Sequence, residues 1–330
     1  MGAKAGVKLA HKSVFASIFT SYVLNSYKNL IYLERRKVIM FLQHLVNALS
    51  IGSVYALLSI GYNMVYGILE KLNFAHGDVY AVGCFVVFSM IGTGCNPILA
   101  ILLGCLAGFI LNVIVERFAY RPLRDSGRVA PTISAVGIAY IMRNLIQLIW
   151  GTETYNFNLG IFDMSSISIG GIVIGKLQIY ILMISLVLMM VISLLLKKTK
   201  WGQAIIGISQ SIPAASLMGI PANRVISIVY GLGAVLGVIG GLLFCSYYQM
   251  IYMGIGFAYG TMKAWMASIW GGIGSLKGAI VGAFALGLAE TFIGAYVSSA
   301  YKDAFVWLIF IIFILIRPQG MFPAQIAEKI

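Results

Sequence analysis

Apolar stretches of membrane-crossing length alternate with short polar breaks along most of this chain. A spanning helix needs about 20 largely apolar residues. Val38 to Leu69 contains no Asp, Glu, Lys or Arg, and its centre, 45–66, reads as a first span ended by Glu70 and Lys71. Further spans are predicted over 76–90, 98–115, 129–150, 177–196, 225–245, 260–274, 278–297 and 301–316. Gly92-Thr93-Gly94-Cys95-Asn96-Pro97 has the composition of a turn. The Ile/Ser alternation from Ser165 to Ile174 predicts a short hairpin. Residues 202–223 are amphipathic and do not span.

Charge orients these elements. Arg117, Arg121, Arg124 and Arg128 crowd one loop, Lys197, Lys198 and Lys200 close another span, and Lys277 and Arg317 mark two more ends. Basic loops face the cytoplasm, and all four markers fit one alternating topology, with 151–176 outside. Parity is the difficulty, because nine crossings with an inside C-terminus put Met40, and with it Arg35, Arg36 and Lys37, outside. Either Ser13–Leu33 makes a tenth span, or residues 1–39 are an upstream extension and Met40 is the natural start. The extension is the preferred reading. The first segment also lacks the small-residue cleavage site of a secretory signal.

Composition agrees with a bilayer environment. Of 330 residues 60% are hydrophobic and 10% charged, whereas soluble domains carry about 25% charged residues. The net charge is +13. Lys4, Lys8, Lys12, Lys28, Arg35, Arg36 and Lys37 against Glu34 place +6 of it before Met40. The remainder is scattered between spans, which excludes the continuous basic face that nucleic-acid binding needs. Cys84, Cys95, Cys105 and Cys245 lie in or beside apolar runs with no Cys-x-x-Cys pair, and read as small packing residues. The fold class is therefore an all-α polytopic integral membrane protein with about eight to ten transmembrane helices.

A few polar residues interrupt the apolar pattern. Asn73 to Asp78 is a polar, helix-breaking stretch in which Asn73 and Asp78 can cap a helix start. Such breaks expose backbone dipoles to a polar path in transporters, so Asn73, His76 and Asp78 are candidates for a helix break or translocation path. An interfacial loop with a capped helix is the plainer account of His76 and Asp78. Glu290 stands inside the eighth span, where a carboxylate is costly unless paired. Tying helices together is its preferred role, with lining a hydrophilic path as the other. Arg143 and Lys263 raise the same question. Glycines at 231, 233, 237, 240, 241, 282 and 287 give helices small faces for close approach. A Gly-x-x-x-x-x-Gly spacing at Gly77–Gly83 and again at Gly272–Gly278 hints at two structural halves.

Several blocks in fixed order carry a family resemblance. They are Leu49-Ser50-Ile51-Gly52-Ser53-Val54-Tyr55-Ala56-Leu57, Gly61 to Ile68, Leu72-Asn73-Phe74-Ala75-His76-Gly77-Asp78, Tyr120-Arg121-Pro122-Leu123-Arg124, Trp270 to Ala279 and Arg317-Pro318-Gln319-Gly320-Met321-Phe322. From Met40 to about residue 323 the chain resembles the LivH type of branched-chain amino acid ABC permease. The resemblance implies a permease domain over 40–323 and a cytoplasmic tail over 324–330. It also implies a second related permease, two ATP-binding subunits and an extracytoplasmic solute-binding protein as partners, and no cofactor. The chain has no Gly-x-x-x-x-Gly-Lys-Ser/Thr phosphate loop, so ATP hydrolysis is expected on partner chains and the protein is not itself an enzyme. Many ABC importer permeases dock their ATPase with a Glu-Ala-Ala-x-x-x-Gly element. Here Pro213-Ala214-Ala215-Ser216-Leu217-Met218-Gly219 keeps Ala214, Ala215 and Gly219 at that spacing and puts Pro213 in the acidic position. This implies a short cytoplasmic coupling helix from Pro213 to Gly219, with Ile205, Ile208, Ile212 and Leu217 as an apolar stripe for a partner. An interfacial helix resting on lipid headgroups has the same pattern.

Two other function classes remain at this point. An ion-coupled secondary transporter of small polar solutes needs intramembrane acids, for which only Glu290 and Asp78 qualify. A membrane-embedded enzyme needs clustered catalytic groups, and the three histidines, His11, His44 and His76, are far apart.

Overall fold

The computed structural model describes residues 2–124, 126–127 and 129–322, with side chains from residue 34 onward. The tail expected over 324–330 lies outside the described residues. Helix α1 (Gly2–Leu69) is followed by α2 (His76–Gly92), α3 (Pro97–Val115), a π-helical turn (Glu116–Tyr120) and α4 (Val129–Trp150). Strands β1 (Tyr155–Asn156), β2 (Ser166–Ile169) and β3 (Ile172–Gly175) precede α5 (Lys176–Lys198), α6 (Lys200–Gln210), α7 (Ile212–Leu217) and α8 (Ala222–Tyr248). Strand β4 (Met250–Ile251) and a second π-helical turn (Ile255–Thr261) lead into α9 (Met262–Gly271), α10 (Leu276–Tyr296) and α11 (Lys302–Ile316).

Helix starts follow the local chemistry. Asn96 accepts a bond from the Ile98 amide at 2.9 Å with Pro97 in the first turn of α3. Thr199 caps α6 through the Gly202 amide, and Ser275 caps α10 through the Gly278 amide, both at 3.1 Å. Among the described residues six helices are long and apolar enough to cross a membrane: Glu34–Leu69, Pro97–Tyr120, α4, α5, α8 and α10. The expected span at 76–90 is the shorter apolar helix α2. Those at 260–274 and 301–316 are α9, with 10 residues, and α11, with 15.

Burial separates central from peripheral helices. Val54, Tyr55, Ala56, Leu57 and Leu58 are all fully buried. Five consecutive buried positions point in every direction around a helix, so α1 is enclosed by protein and has no lipid-facing stripe here. In their most apolar windows 78% of residues are buried in both α1 and α8, against 17% in α4 and 22% in α5. The outward side chains of α4 and α5 remain apolar, as with Leu148, Ile149 and Met190, which suits a hydrocarbon solvent. Close approach holds the centre together. A Cβ on Gly61 would lie 2.7 Å from the Gly233 carbonyl oxygen, and one on Gly233 would lie 2.8 Å from that of Gly61, so α1 and α8 cross backbone to backbone. The two Gly-x-x-x-x-x-Gly spacings fall in unlike settings. Gly77 and Gly83 lie within α2, whereas Gly272 (φ +110°) ends α9 and Gly278 begins α10.

Polar links gather the loops at two opposite ends of the 43–69 part of α1. At one end Lys71 Nζ donates to the carbonyls of Leu123, Arg124 and Gly127. There Asn63 also bonds Ser275, and the Met321 amide bonds Trp270. At the other end β2 and β3 form the expected antiparallel hairpin, with Ile167 opposite Ile174. Its two-residue turn, Gly170-Gly171, has φ values of +61° and +93°, which glycine adopts without strain. Gln43 of α1 clamps the hairpin through both the amide and the carbonyl of Val173. Asp163, held down to about 2 mainly by its hydrogen bond from Lys176 Nζ, pins the loop leading into the hairpin. Tyr155 pairs with Ile251 across β1 and β4. The basic clusters and 151–176 thus lie at opposite ends, in the alternation that the charge pattern predicts.

Candidate functional site

The expected coupling element is a separate short helix. Ser211 accepts from the Ala214 amide and caps α7, and Pro213 stands in its first turn, where proline needs no hydrogen bond. At the far end the Ile220 amide bonds the Ala215 carbonyl and the Gly219 amide bonds that of Ser216. With Gly219 at φ +82°, this is a left-handed helix stop. Ala215 is buried while Pro213, Ala214 and Gly219 are exposed. Leu217 and Met218 are 88% and 83% exposed, so two large apolar side chains stand out at the tip. The expected partner-facing stripe needs correction. Ile205 and Ile208 are buried in the chain itself and Ile212 is half-buried. The helix breaks at Ser211, whose φ is −159°, so the face of α6 does not continue along α7 and only Leu217 of the four points out.

The polar stretch before α2 forms a sealed junction. Asn73, 1% exposed, accepts from the Ala75 amide at 3.1 Å and from the Tyr120 hydroxyl at 2.9 Å. Thr261 of the second π-helical turn accepts from the Gly77 amide at 2.9 Å and donates to the Phe74 carbonyl. His76 is fully buried, edge-on to Tyr62 and Tyr80. Its Nε2 packs on Gly61. At ~1.5 Å per residue, Gly61 lies about 12 Å inward from the end of α1 at Leu69, so α2 begins deep in the bundle. Asp78 caps nothing. Its carboxylate, also fully buried, pairs with Arg143 of α4 at 3.0 Å, and the guanidinium packs 4.6 Å from the Phe257 ring. Desolvation explains the pairing, because a lone carboxylate there would stay costly.

Glu290 ties helices together. From α10 its carboxylate meets Tyr55 of α1 at 2.9 Å, Lys263 of α9 at 3.2 Å and Lys302 of α11 at 2.9 Å. Lys263 in turn reaches Asp303 at 2.7 Å. Two acids and two bases leave the cluster near neutral, and four helices meet there.

Sequence reasoning singled out Arg143 and Lys263 but passed over Glu116. That residue closes α3, is fully buried, and holds Arg121 at 3.0 Å and Arg124 at 2.9 Å while accepting from Ser227 at 2.6 Å. Its signal in sequence is one acid at the head of an arginine cluster, masked by the strongly positive net charge of that cluster.

Comparison with known proteins fits this architecture. The model of the family described as the permease component of branched-chain amino acid transport systems matches residues 44–315. BraD of Pseudomonas aeruginosa, a high-affinity branched-chain amino acid transport system permease protein, is 35% identical over 307 residues. That alignment covers 88% of this chain and 98% of BraD. LivH of Escherichia coli K12, described in the same words, is 34% identical with the same coverage. The probable LivH of Methanocaldococcus jannaschii is 27% identical, over 84% of this chain and 91% of its own. Among solved structures, PsaBC from Streptococcus pneumoniae in complex with Fab superposes with a TM-score of 0.50 over 87% of this chain and 97% of that one. At 15% identity that likeness concerns the fold alone. The helices, their burial and these matches together place the chain, as a multi-pass membrane protein, in the family of branched-chain amino acid transport system permease components.

Proposed function

We propose that this chain is the permease subunit of an ATP-binding-cassette importer for branched-chain or closely related amino acids. It forms the translocation path with a second, related permease. An extracytoplasmic solute-binding protein delivers the amino acid at the hairpin end, and two ATP-binding subunits act from the end carrying the basic loops. The observation that carries this reading beyond family membership is α7. A capped six-residue helix with Leu217 and Met218 almost fully exposed at its tip is suited to a groove on an ATPase. The permease performs no covalent chemistry. Closure of the ATPases moves α7, the bundle rocks, and the solute passes. An ion-coupled mechanism lacks support, since Asp78 and Glu290, the acids it would need, are each held in buried ion pairs.

The test is uptake of labelled leucine, isoleucine and valine into proteoliposomes holding the full complex. Uptake is expected to require ATP inside together with the binding protein outside, and to survive a protonophore. Uptake that collapses with the protonophore and proceeds without the ATPases would establish the ion-coupled reading instead. Gly219→Leu tests α7 specifically. A left-handed non-glycine residue costs about 1–2 kcal/mol, so the stop should unravel. Uptake and ATPase stimulation are expected to disappear while membrane insertion persists. Normal transport by this variant, with its ATPases bound, would remove α7 from the coupling path.

A further inference from the structure

The loop between α3 and α4 joins the root of the coupling helix to the deep start of α2. On the α7 side Arg124 Nη1 donates to Asn223 Oδ1 at 2.9 Å, and Arg121 Nη2 donates to Ser227 Oγ at 2.9 Å. Asn223 and Ser227 lie in the opening turns of α8, just after α7 and Gly219. On the α2 side the same loop receives Lys71 and sends the Tyr120 hydroxyl to Asn73. Glu116 sits between the two sides, fully buried, with both carboxylate oxygens engaged by Arg121, Arg124 and Ser227. A π-helical turn spans Glu116–Tyr120. Such turns are frequent at functional sites, and this one carries both connecting side chains.

Charge burial and hydrogen bonding make this junction a linkage as well as a brace. The buried Glu116 carboxylate keeps Arg121 and Arg124 gathered around it, and the bonds of Ser227 with Glu116 and Arg121 and of Arg124 with Asn223 tie that braced loop to the root of α8. Apolar packing also runs from α7 to the α2 side, through α6 on α1 and α8 on α2. A cavity of about 440 Å³, lined by Lys71, Arg124, Ser211 and Pro213 among others, separates the start of α7 from the end of α1. The polar route from α7 to Asn73 runs through Asn223 and Ser227, the arginines, Glu116 and Tyr120.

We infer that Glu116 and Tyr120 are positioning residues that carry movement of the coupling helix to the helix break at Asn73–His76. The inference rests on the reading of α7 as the ATPase-docking element. Its test uses the full complex in proteoliposomes and reads amino acid transported per ATP hydrolysed, together with the amount of assembled complex. Glu116→Gln keeps the side chain's size and removes its charge. Tyr120→Phe removes only the hydroxyl that reaches Asn73 and serves if Glu116→Gln does not assemble. Tyr120→Phe is expected to assemble normally and to lower transport per ATP by between about 2- and 30-fold, the range of coupling carried by such networks. Where Glu116→Gln also assembles, the double variant is expected to be no worse than the more severe single one, since both cut one connection. Unchanged transport per ATP in Tyr120→Phe, or a loss matched by loss of assembled complex, would overturn the inference. Failure of the unsubstituted complex to couple uptake to ATP would instead sink the importer reading, so the two failures are distinguishable.

Discussion

At the scale of single residues, charge placement inside the bundle is the most informative feature. Asp78, Glu116 and Glu290 are each buried and each faces arginine or lysine from a distant part of the chain or an adjoining loop. Removing one partner of such a pair costs more than the pair itself contributes, because the other charge is left in a medium that cannot solvate it. Glu290→Ala leaves Lys263, which is 5% exposed, and Lys302 with Asp303 as the one remaining acid of the cluster, and is expected to destabilise the folded protein by at most about 3–5 kcal/mol. Thermal unfolding in detergent would measure it. Lys302→Ala should cost less, because Lys302 is 29% exposed and Lys263 continues to serve Glu290. Equal losses from the two would mean that the cluster is not organised around Lys263. Glu290 was legible in sequence as an acid out of place in an apolar span. Its partners were not, since Tyr55 is 235 positions away and no local pattern marks the pair.

At the scale of elements, glycine placement decides which helices touch. Gly61 and Gly233 let α1 and α8 cross with no side chain between them. Gly61→Leu would force bulk against the Gly233 backbone and the His76 ring, and backbone cannot yield as a flexible side chain does. A loss of at least about 1–3 kcal/mol is expected, visible as a lowered unfolding temperature and reduced yield of monodisperse protein. Gly137 is the control. A Cβ there meets nothing within 4 Å, so Gly137→Ala in α4 should be neutral or slightly stabilising. Equal damage at both positions would show that close approach is not what Gly61 provides. Element positions themselves were readable, because span length and cap residues are local. The turn at 92–97 and the hairpin at 166–175 appear where composition put them, and the short helix before Gly219 appears where the resemblance implied one. The Ile205–Ile208 face turns into the chain itself, a direction the sequence leaves open, because an apolar stripe does not say whether its cover comes from the same chain or another.

At the scale of the whole molecule, the two ends of the bundle define the orientation. With the basic loops inside, a cysteine introduced as Lys200→Cys should resist an impermeant thiol reagent in sealed cells and react after permeabilisation. One introduced as Ser168→Cys in the exposed hairpin should react in sealed cells. Strong labelling at position 200 from outside would reverse the topology and with it the proposed sides of the partners. Burial adds a second whole-molecule result. The 51–69 part of α1 and most of α8 are enclosed, while α4 and α5 present apolar side chains outward.

The sequence by itself determined the class of protein, the places of its helices and the family to which it belongs. These follow from composition, apolar run length, charge at span ends and short ordered motifs, all local or additive along the chain. Only the tertiary structure decided that α1 is the central helix, that α2 starts deep against Gly61, and that Asp78 answers Arg143 instead of capping a helix. Only it joined the arginine loop through Glu116 to the opening turns of α8. The reason is common to all of these. A buried charge or a bare glycine announces in sequence that something must lie against it, but the partner is chosen by how helices far apart in the chain pack together.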